Sequence, residues 1–428
     1  MIDEKKHITV FEHELIRFDK GENRISENQF KALQHYYGAG VPYYSLCFNG
    51  VQFNEYVGVI QIGNTVIEVL PKADRNTYTT SEENKWRDIL IGMLKAVGSF
   101  DIKATSDSNL KIKPNTILDL YFEMFINEVE YLLHNGLVKK YRKKEGNVTA
   151  LKGSLHFAKH IQQNLTHQER FYVRHTTYDT EHILHFILYK AIRLLKQINI
   201  NSTLHSRIGT LLLHFPEMPA IKVDETTFSK LVYNRKTQSY KKAIDIAKLL
   251  LLQYHPDLSK GRNDVLALMF DMNKLWEQFV YVSLRRDKNL SVTAQTSKYF
   301  WQPENGYRSS IRPDIVINKD DKERCIVLDT KWKNLNGYNP SPDDLRQMYV
   351  YHEYFGAKRV ALVYPGNPEK NSKGTFFPSA SHYNMDKECS VLLLQVPEKI
   401  DRKNNKVRNW QDNIVIQISE WLQTSIIK

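Results

Sequence analysis

Two short stretches rich in Ile and Val, IRPDIVIN and RCIVLDTKW, flank the polar run NKDDKE in the last third of the chain. This pattern predicts two paired β-strands joined by a hairpin-like connection. Asp314 lies on the first strand, and Asp329 and Lys331 lie two residues apart on the second. Side chains alternate between the faces of a strand, so Asp329 and Lys331 are expected on one face, within reach of Asp314.

This grouping predicts metal-dependent hydrolysis of a phosphodiester. Two converging carboxylates repel each other, and a hard cation such as Mg²⁺, with Mn²⁺ as the alternative, relieves the repulsion through their oxygens. The backbone carbonyl of Thr330 is a further candidate ligand. The ammonium of Lys331 would orient a water molecule or offset charge on the phosphate. The competing interpretation is a solvated hairpin edge whose Asp and Lys side chains serve solubility.

Two flanking segments are predicted to be helices that reach the same site. The stretch from Asp264 to Leu284 has apolar residues at helical spacing and carries Glu277. The stretch PDDLRQMYVYHEYF opens with Pro342 and two acids, as a helix N-terminus does. It sets Gln347 and Tyr351 one turn apart on one face.

The order of elements around these residues predicts an α/β layer with a central sheet. A helix is followed by the predicted strand SVTAQTSKYFW, the two strands above, a helix, the strands KRVALVYPG and CSVLLLQVP, and a closing helix NWQDNIVIQISEWLQ. With these motifs in this order, the segment resembles the PD-(D/E)xK nuclease fold. The matching positions are Pro313 and Asp314 (PD), Asp329, Thr330 and Lys331 (D-x-K), Glu277 on the first helix, and Gln347 with Tyr351 (the Q-x-x-x-Y of the RecB-like branch).

The resemblance implies a role for each matched residue. Asp314, Asp329 and Glu277 would hold the metal, and Lys331 would assist the nucleophilic water. Gln347 and Tyr351 would position the substrate or the site.

The whole chain is predicted to be multidomain α+β, since 428 residues exceed what a single core usually supports. Residues 1–80 read as a small β-rich N-terminal domain with two strands joined at Gly63-Asn64. Residues 81–262 read as a helical middle region, and residues 263–428 as the α/β nuclease domain, with a boundary in HPDLSKGRND.

Composition narrows the class of protein. Sixty basic and 48 acidic residues give a net charge of +12, which favours a polyanionic partner such as DNA. Three widely spaced cysteines indicate neither a disulfide framework nor a cysteine-rich zinc site. The start lacks the apolar core of a signal peptide and no apolar run is long enough to span a bilayer, so we expect a cytoplasmic protein.

Two local clusters allow more than one interpretation. The basic run around Tyr141 has three open interpretations: a DNA contact, a contact with an acidic partner, or a solvated loop. Its members are Lys139, Lys140, Arg142, Lys143 and Lys144. The histidines include His182 and His185 on one predicted helix face, which could suggest zinc. No cysteine or carboxylate set accompanies them, so a structural role is favoured.

Taken together, the segments GVIQIGNTVIEVLPKA, YRKKEGNVTALKGSLHF, DMNKLWEQFV and the PD/D-x-K core resemble the McrC family over nearly the whole chain. One departure is Lys152-Gly153, where Arg-Gly is expected. The resemblance implies the nuclease subunit of a McrBC-type restriction system, docked through its N-terminal part on a hexameric AAA+ GTPase of McrB type. That partner would recognise modified DNA, translocate, and be stimulated by this chain.

The sequence agrees with such a division of labour, because it has no G-x-x-x-x-G-K-[ST] phosphate-binding loop. Two alternatives remain. One is a self-sufficient RecB-like repair or processing nuclease, which would cut DNA with Mg²⁺ alone. The other is a catalytically inactive DNA-binding adaptor, against which the intact Asp314, Asp329 and Lys331 argue.

Overall fold

The chain folds into two compact units. The middle unit consists of Ile112–Leu268 with Met1–Lys5, and the composite unit joins Lys6–Lys111 to Met269–Lys428. The structure is a computed structural model, and it describes residues 6–21, 23–38, 40–72, 80–97, 117–255, 264–321, 323–335, 339–377, 387–398 and 406–423.

This grouping differs from the division into three consecutive domains predicted from the sequence. The N-terminal residues and the predicted nuclease domain share one unit, and only the second boundary, near residue 263, falls close to the observed one at Leu268. The difference arises because the contacts that join the two ends of the chain span hundreds of residues, a distance over which local patterns carry no information.

Among its described residues, the N-terminal part of the composite unit contains six strands and two helices. They are β1 (Lys6–Phe11), β2 (Leu15–Arg17), α1 (Glu27–Tyr37), β3 (Tyr44–Cys47), β4 (Gly50–Phe53), β5 (Tyr56–Ile62), β6 (Thr65–Leu70) and α2 (Thr80–Val97). β6 pairs with β1 in parallel and with β5 in the predicted hairpin. β2, β4 and β3 form a second sheet.

The stretch HITVFEHELIRF holds most of β1 and all of β2, which are separated by a turn. His13 has a φ of +66°, which ends the extended conformation. The backbone N–H of Phe11 donates to Glu14 Oε2 at 2.9 Å, and this contact closes the turn. Ser26 is the N-cap of α1 and forms a capping box with Gln29.

The middle unit has six helices and five strands among its described residues. They are α3 (Ile117–His134), β7 (Lys140–Val148), β8 (Ser154–Leu155), α4 (Phe157–Asn164), β9 (Phe171–Asp179), α5 (Ile183–Ile198), α6 (Ser202–His214), α7 (Glu225–Ser229), α8 (Lys241–Leu252), β10 (Tyr254–His255) and β11 (Val265–Asp271). α3, α5, α6 and α8 pack together. The region is therefore not purely helical, because β7, β9 and β8 form an antiparallel sheet.

The C-terminal part of the composite unit supplies the larger sheet. Its elements are α9 (Met272–Leu284), β12 (Val292–Ala294), β13 (Lys298–Trp301), β14 (Ser309–Ile311), β15 (Ile315–Ile317), β16 (Ile326–Thr330), α10 (Pro342–Phe355), β17 (Arg359–Pro365), β18 (Ser372–Thr375), β19 (Glu388–Leu394) and α11 (Lys406–Gln423). The sheet order is β12-β15-β16-β17-β19-β18. β15 and β16 are antiparallel, whereas β16, β17 and β19 run parallel.

Two predicted elements in this part are each divided in the structure. The predicted helix from Asp264 to Leu284 is the strand β11 followed by α9, and the Asp271 carboxylate caps the helix by accepting from Lys274 N at 3.1 Å. The predicted strand SVTAQTSKYFW is β12 and β13, which lie in different sheets. Gln295, with a φ of +49°, turns the chain between them.

Buried apolar side chains form a core cluster in the C-terminal part of the composite unit. Val327, Val360 and Leu362 lie on the central strands, and Met348 and Phe355 of α10 pack against them. None of the helices in the described ranges combines the length and apolar character needed to cross a membrane.

Candidate active site

Asp314, Asp329 and Lys331 lie at one end of the central sheet. Asp314 immediately precedes β15, and Asp329 is the fourth residue of β16. The two strands are antiparallel, with Ile315 opposite Leu328, so the start of β15 and the end of β16 coincide. Lys331 follows β16, and its backbone N–H donates to Val363 O of β17 at 2.9 Å. The predicted juxtaposition thus follows from the register of three strands.

Side-chain contacts hold this end of the sheet together. Asp314 Oδ2 accepts from the Thr330 backbone N–H at 2.7 Å and from its hydroxyl at 2.8 Å. Lys331 Nζ lies 2.8 Å from Asp329 Oδ2 and 3.8 Å from Asp344 Oδ1. The lysine therefore bridges the strand carboxylate and a second carboxylate at the start of α10.

Asp329 is a buried acid beside another acid. It is 1% exposed. Burial, with a further contribution from the charge of Asp314, raises the pKa of Asp329 to about 7, although Lys331 opposes the shift. Burial alone would lower the pKa of Lys331, but Asp329 and Asp344 beside it hold that pKa above its ordinary value. Lys331 is accordingly charged at neutral pH, and its ammonium opposes the protonation of Asp329.

Gln347 and Tyr351 of α10 connect the helix to these residues. Gln347 Nε2 lies 3.3 Å from Asp329 Oδ1 and donates to the Tyr351 hydroxyl at 2.7 Å. Gln347 Oε1 is 3.5 Å from Lys331 Nζ. The Tyr351 hydroxyl donates to Arg312 O at 3.2 Å. These contacts fix Gln347 between Asp329 and Lys331. Its contact with Tyr351 matches the predicted spacing of one helical turn.

Glu277 reaches the edge of the site from α9. Its Oε1 accepts from Gln295 Nε2 at 2.9 Å. Burial, and then the charge of Asp314, raises the pKa of Glu277, so the two carboxylates interact. Within the described ranges, however, no three Asp, Glu, His or Cys side chains are gathered so as to enclose an ion by themselves. The contacts of Asp314 with Thr330 and of Glu277 with Gln295 turn oxygens of both carboxylates toward other partners.

The donor set nevertheless fits a hard divalent cation. Asp314 and Asp329 carry carboxylate oxygens at the same end of the sheet, and Mg²⁺ commonly takes only one or two carboxylates together with water and substrate phosphate. Burial, and then the charge of Asp314, raises the pKa of Asp329, and a cation held there would offset both effects.

The sequence interpretation missed several residues that support the site. Lys333 Nζ lies 2.6 Å from Asp344 Oδ2. The alternation of Lys331 and Lys333 along the chain is a signal that could have identified this pair. Trp332 Nε1 donates to Glu12 Oε1 at 2.9 Å, and the Trp332 backbone N–H donates to Asn273 Oδ1 at 3.1 Å. A separation of 320 residues leaves no such signal for Glu12.

The basic cluster lies in the middle unit, mainly on β7 rather than in a loop. Arg142 Nε is 3.1 Å from Asp179 Oδ1, and its guanidinium also pairs with Glu181. Lys139, Lys143 and Lys144 are exposed, whereas Lys140 is half-buried at the start of the strand.

The two histidines of the same unit make structural contacts. His185 Nε2 lies 3.0 Å from the Tyr240 hydroxyl, and His182 Nε2 lies 2.8 Å from Val138 O. Burial lowers the pKa of His185 to about 4, so this ring is neutral at ordinary pH.

Comparisons with known proteins agree with this architecture. Residues 51–365 match the family model of the McrBC 5-methylcytosine restriction system component. The chain is 23% identical over 250 residues to the type IV methyl-directed restriction enzyme EcoKMcrBC of Escherichia coli (strain K12), covering 54% of this chain and 69% of the relative.

A solved structure shares the fold along nearly the full length. It is a chain of the refined half-complex from the tetradecameric assembly of Thermococcus gammatolerans McrB AAA+ hexamers with bound McrC. The two chains are 19% identical with a TM-score of 0.71, over 97% of this chain and 100% of the other. Because the family model matches well over half of the sequence, the chain belongs to the family of McrBC 5-methylcytosine restriction system components.

Proposed function

We propose that this chain is the DNA endonuclease subunit of a McrBC-like restriction system. It hydrolyses phosphodiester bonds at the end of β15 and β16, and it docks on and stimulates a separate AAA+ GTPase that recognises modified DNA and translocates. The nuclease activity is supported by the grouping of Asp314, Asp329 and Lys331 at one end of the sheet. Gln347 contacts both Asp329 and Lys331. Family membership and the likeness to a chain of the McrB–McrC assembly support an AAA+ GTPase of McrB type as the partner.

The proposed cofactor is Mg²⁺, with Mn²⁺ as the alternative. Asp314, Asp329 and the Thr330 carbonyl group would hold it, and Glu277 would add a carboxylate directly or through water. Such an ion supplies Lewis-acid polarisation of a phosphoryl oxygen and lowers the pKa of bound water.

The protein groups have distinct roles in this proposal. Lys331, kept charged by Asp329 and Asp344, offsets negative charge on the phosphate and orients the attacking water. Gln347 restrains the Asp329 carboxylate by its contact at 3.3 Å, and Tyr351 restrains Gln347. The low exposure of Asp329 excludes solvent and strengthens these electrostatic interactions.

A cleavage assay with and without the AAA+ partner tests this function. Purified chain, Mg²⁺ and modified DNA are expected to give feeble cutting alone, and strong cutting when the GTPase and GTP are added. Substitution of Lys331→Ala should lower the cutting rate by at least about 100-fold, the size expected when one transition-state charge contact is lost. The variant should still bind the GTPase and stimulate GTP hydrolysis.

Lys358→Ala is the matched control, because Lys358 is an exposed lysine just before β17, at the opposite end of the same strands. Its cutting rate should equal that of the wild type. Rapid degradation of DNA by the wild-type chain without the partner would favour a stand-alone RecB-like nuclease. Cutting that survives Lys331→Ala would refute the catalytic assignment.

A further inference from the structure

A cleft opens beside the candidate active site, between the β13–β14 hairpin and α10. We call it the hairpin–helix cleft. It has a volume of about 820 Å³, within the range of roughly 300–1,000 Å³ that is typical of ligand sites. Its walls include Gln295, Phe300, Arg312, Arg346, Gln347 and Tyr351. Gln347 and Tyr351 also contact the Asp329 end of the sheet, so the cleft is continuous with the site of proposed chemistry.

The charge of the hairpin–helix cleft is positive. Arg312 and Arg346 line it, and none of the lining residues that the structure describes is acidic. Across the described parts of the chain, the Arg312 guanidinium has no ion-pair partner. Arg346 pairs at 3.1 Å with Asp343, but that pair is highly exposed and therefore weak. Two guanidinium groups without a strong internal partner suit phosphate oxygens.

The hairpin presents aromatic rings to solvent. Phe300 lines the cleft and is 45% exposed, and Tyr299, Trp301 and Tyr307 on the same hairpin are 68%, 58% and 98% exposed. Exposed large rings on one short hairpin are uncommon unless the surface binds something. Aromatic rings beside cationic side chains are typical of surfaces that bind unstacked nucleobases. In a duplex the bases are stacked, so their faces are not accessible to such rings.

The hairpin is fastened to α10, so the position of Phe300 is defined. Lys298 Nζ donates to Tyr354 O at 2.9 Å and lies 4.7 Å from the centroid of the Phe355 ring. The Phe300 ring meets the Tyr354 ring edge-on, with centroids 5.2 Å apart. Phe300 occupies the bulge between the paired positions Tyr299 and Trp301, which sets it apart from the regular alternation of the strand.

We propose that the hairpin–helix cleft binds an unstacked stretch of the DNA strand next to the phosphodiester that is cut. Arg312 and Arg346 contact its phosphates, and Phe300 stacks on one of its bases. The inference rests on the proposed nuclease function, because it places this strand on a path that leads to Asp329. Stacking on a ring is tolerant of base identity, so the cleft holds the strand without reading its sequence.

Binding measurements without cutting test the proposal. Fluorescence anisotropy with a labelled single-stranded oligodeoxynucleotide of mixed sequence, and with its duplex, is measured on the full chain in the presence of a chelator. Phe300→Ala should weaken binding of the single strand by on the order of 10-fold. Arg312→Ala should also weaken it and lower the slope of log affinity against log salt by about 0.7. Phe300→Tyr should restore binding, because the ring is kept.

Two exposed residues outside the cleft provide matched controls. Phe377 is 96% exposed, and Arg324 is an exposed residue of the β15–β16 connection. Phe377→Ala and Arg324→Ala should bind the single strand as the wild type does. The inference is overturned if the wild type prefers the duplex, if the cleft variants match these controls, or if Phe300→Tyr is as weak as Phe300→Ala.

The binding result and the cleavage result are independent. If DNA is cut with Mg²⁺ and the GTPase, but the cleft variants bind normally, the inference fails and the proposed function stands. If the cleft variants lose binding as expected and no condition gives cutting, the strand-binding role stands and the nuclease assignment fails.

Discussion

Asp329 is buried, which disfavours its charged form, and it is also paired with a cation, which favours that form. The carboxyl group is buried among apolar strands, where its charged form is costly, yet it lies next to Asp314 and in an ion pair with Lys331. A site of this kind keeps a carboxylate with little solvent around it and a cation 2.8 Å away. Such pairs are more typical of chemistry than of stability, because burial opposes both charges.

Glu12 is a second buried acid, and it gives a prediction at the residue scale. Its Oε1 accepts from Trp332 Nε1 at 2.9 Å and from Lys72 N at 2.6 Å. Burial raises the pKa of Glu12 from 4.5 to about 7. Its contribution to stability is therefore fully present below about pH 4.5 and is lost as pH rises through about 7.

Glu12→Gln should remove this dependence, because the amide oxygen can accept both hydrogen bonds and carries no charge. We expect the variant to unfold at higher urea concentration than the wild type at pH 8, because its free energy of unfolding should be larger by up to roughly 3 kcal/mol. At pH 5 the two should differ little. Urea titrations at both pH values measure the difference, and a variant that loses stability at pH 8 would contradict the assignment.

The sequence predicted that Asp314, Asp329 and Lys331 lie close together, because period and register bring them to one end of the sheet. Asp329 and Lys331 are two residues apart on a strand, and a hairpin brings Asp314 beside them. The one-turn spacing predicted the contact between Gln347 and Tyr351. Glu12 and Trp332 could not be paired in this way, because they meet only through the tertiary fold. The partner acid Asp344 was visible only as a helix-starting residue.

At the scale of elements, α10 carries both Gln347 and Tyr351, so its ends matter for the site. Ser341 caps the start by accepting from Asp344 N at 3.1 Å, with Pro342 in the first turn. Gly356 follows the helix with a φ of +60°, the left-handed conformation that glycine adopts without a steric penalty. A Cβ at Gly356 would meet nothing within 4 Å, so only the backbone conformation disfavours a side chain there.

Gly356→Ala should therefore lower the free energy of unfolding by about 1–2 kcal/mol. The control is Gly209→Ala, at an exposed glycine within α6 that has no atoms crowding the Cβ position. That change should stabilise the protein by about 0.5–1 kcal/mol, because alanine favours a helix interior. Chemical denaturation distinguishes the two, and equal effects of the same sign would contradict this account of the α10 end.

Elements were predicted less accurately where apolar runs lack a clear period. Val265 to Phe270 is a continuous apolar stretch, which fits either a buried strand or part of a helix. This stretch is a strand because it pairs with β10. The pairing cannot be predicted from the sequence of β10 or of β11 alone. The Asp271 cap and the positive φ of Gln295 are local signals that mark the divisions in both misread segments.

At the scale of the molecule, the composite unit joins two distant stretches of sequence. α2 packs against α9 and α11, and the Trp86 ring meets the Trp332 ring edge-on with centroids 6.3 Å apart. Glu12 bonds to the same Trp332. The site therefore depends on residues from both ends of the chain, although every matched nuclease motif lies in the C-terminal part.

A fragment of residues 263–428 should accordingly be unstable by itself. Without residues 6–111, Trp332 loses Glu12 and Trp86, and α9 and α11 lose their contacts with α2. We expect a weak or absent cooperative thermal transition and strong binding of a hydrophobic dye. Co-expression with residues 1–111 should restore a cooperative transition, and a fragment that melts like the full chain would contradict the shared core.

The most direct test of the central claim is the Mg²⁺ dependence of cutting by Asp329→Asn in the presence of the AAA+ partner and GTP. The substitution keeps the size of the side chain and removes its charge. Wild-type cutting should saturate with Mg²⁺, and the variant should cut at least about 100-fold more slowly at every concentration while it still stimulates GTP hydrolysis. Cutting by the variant at the wild-type rate would contradict the assignment of this site.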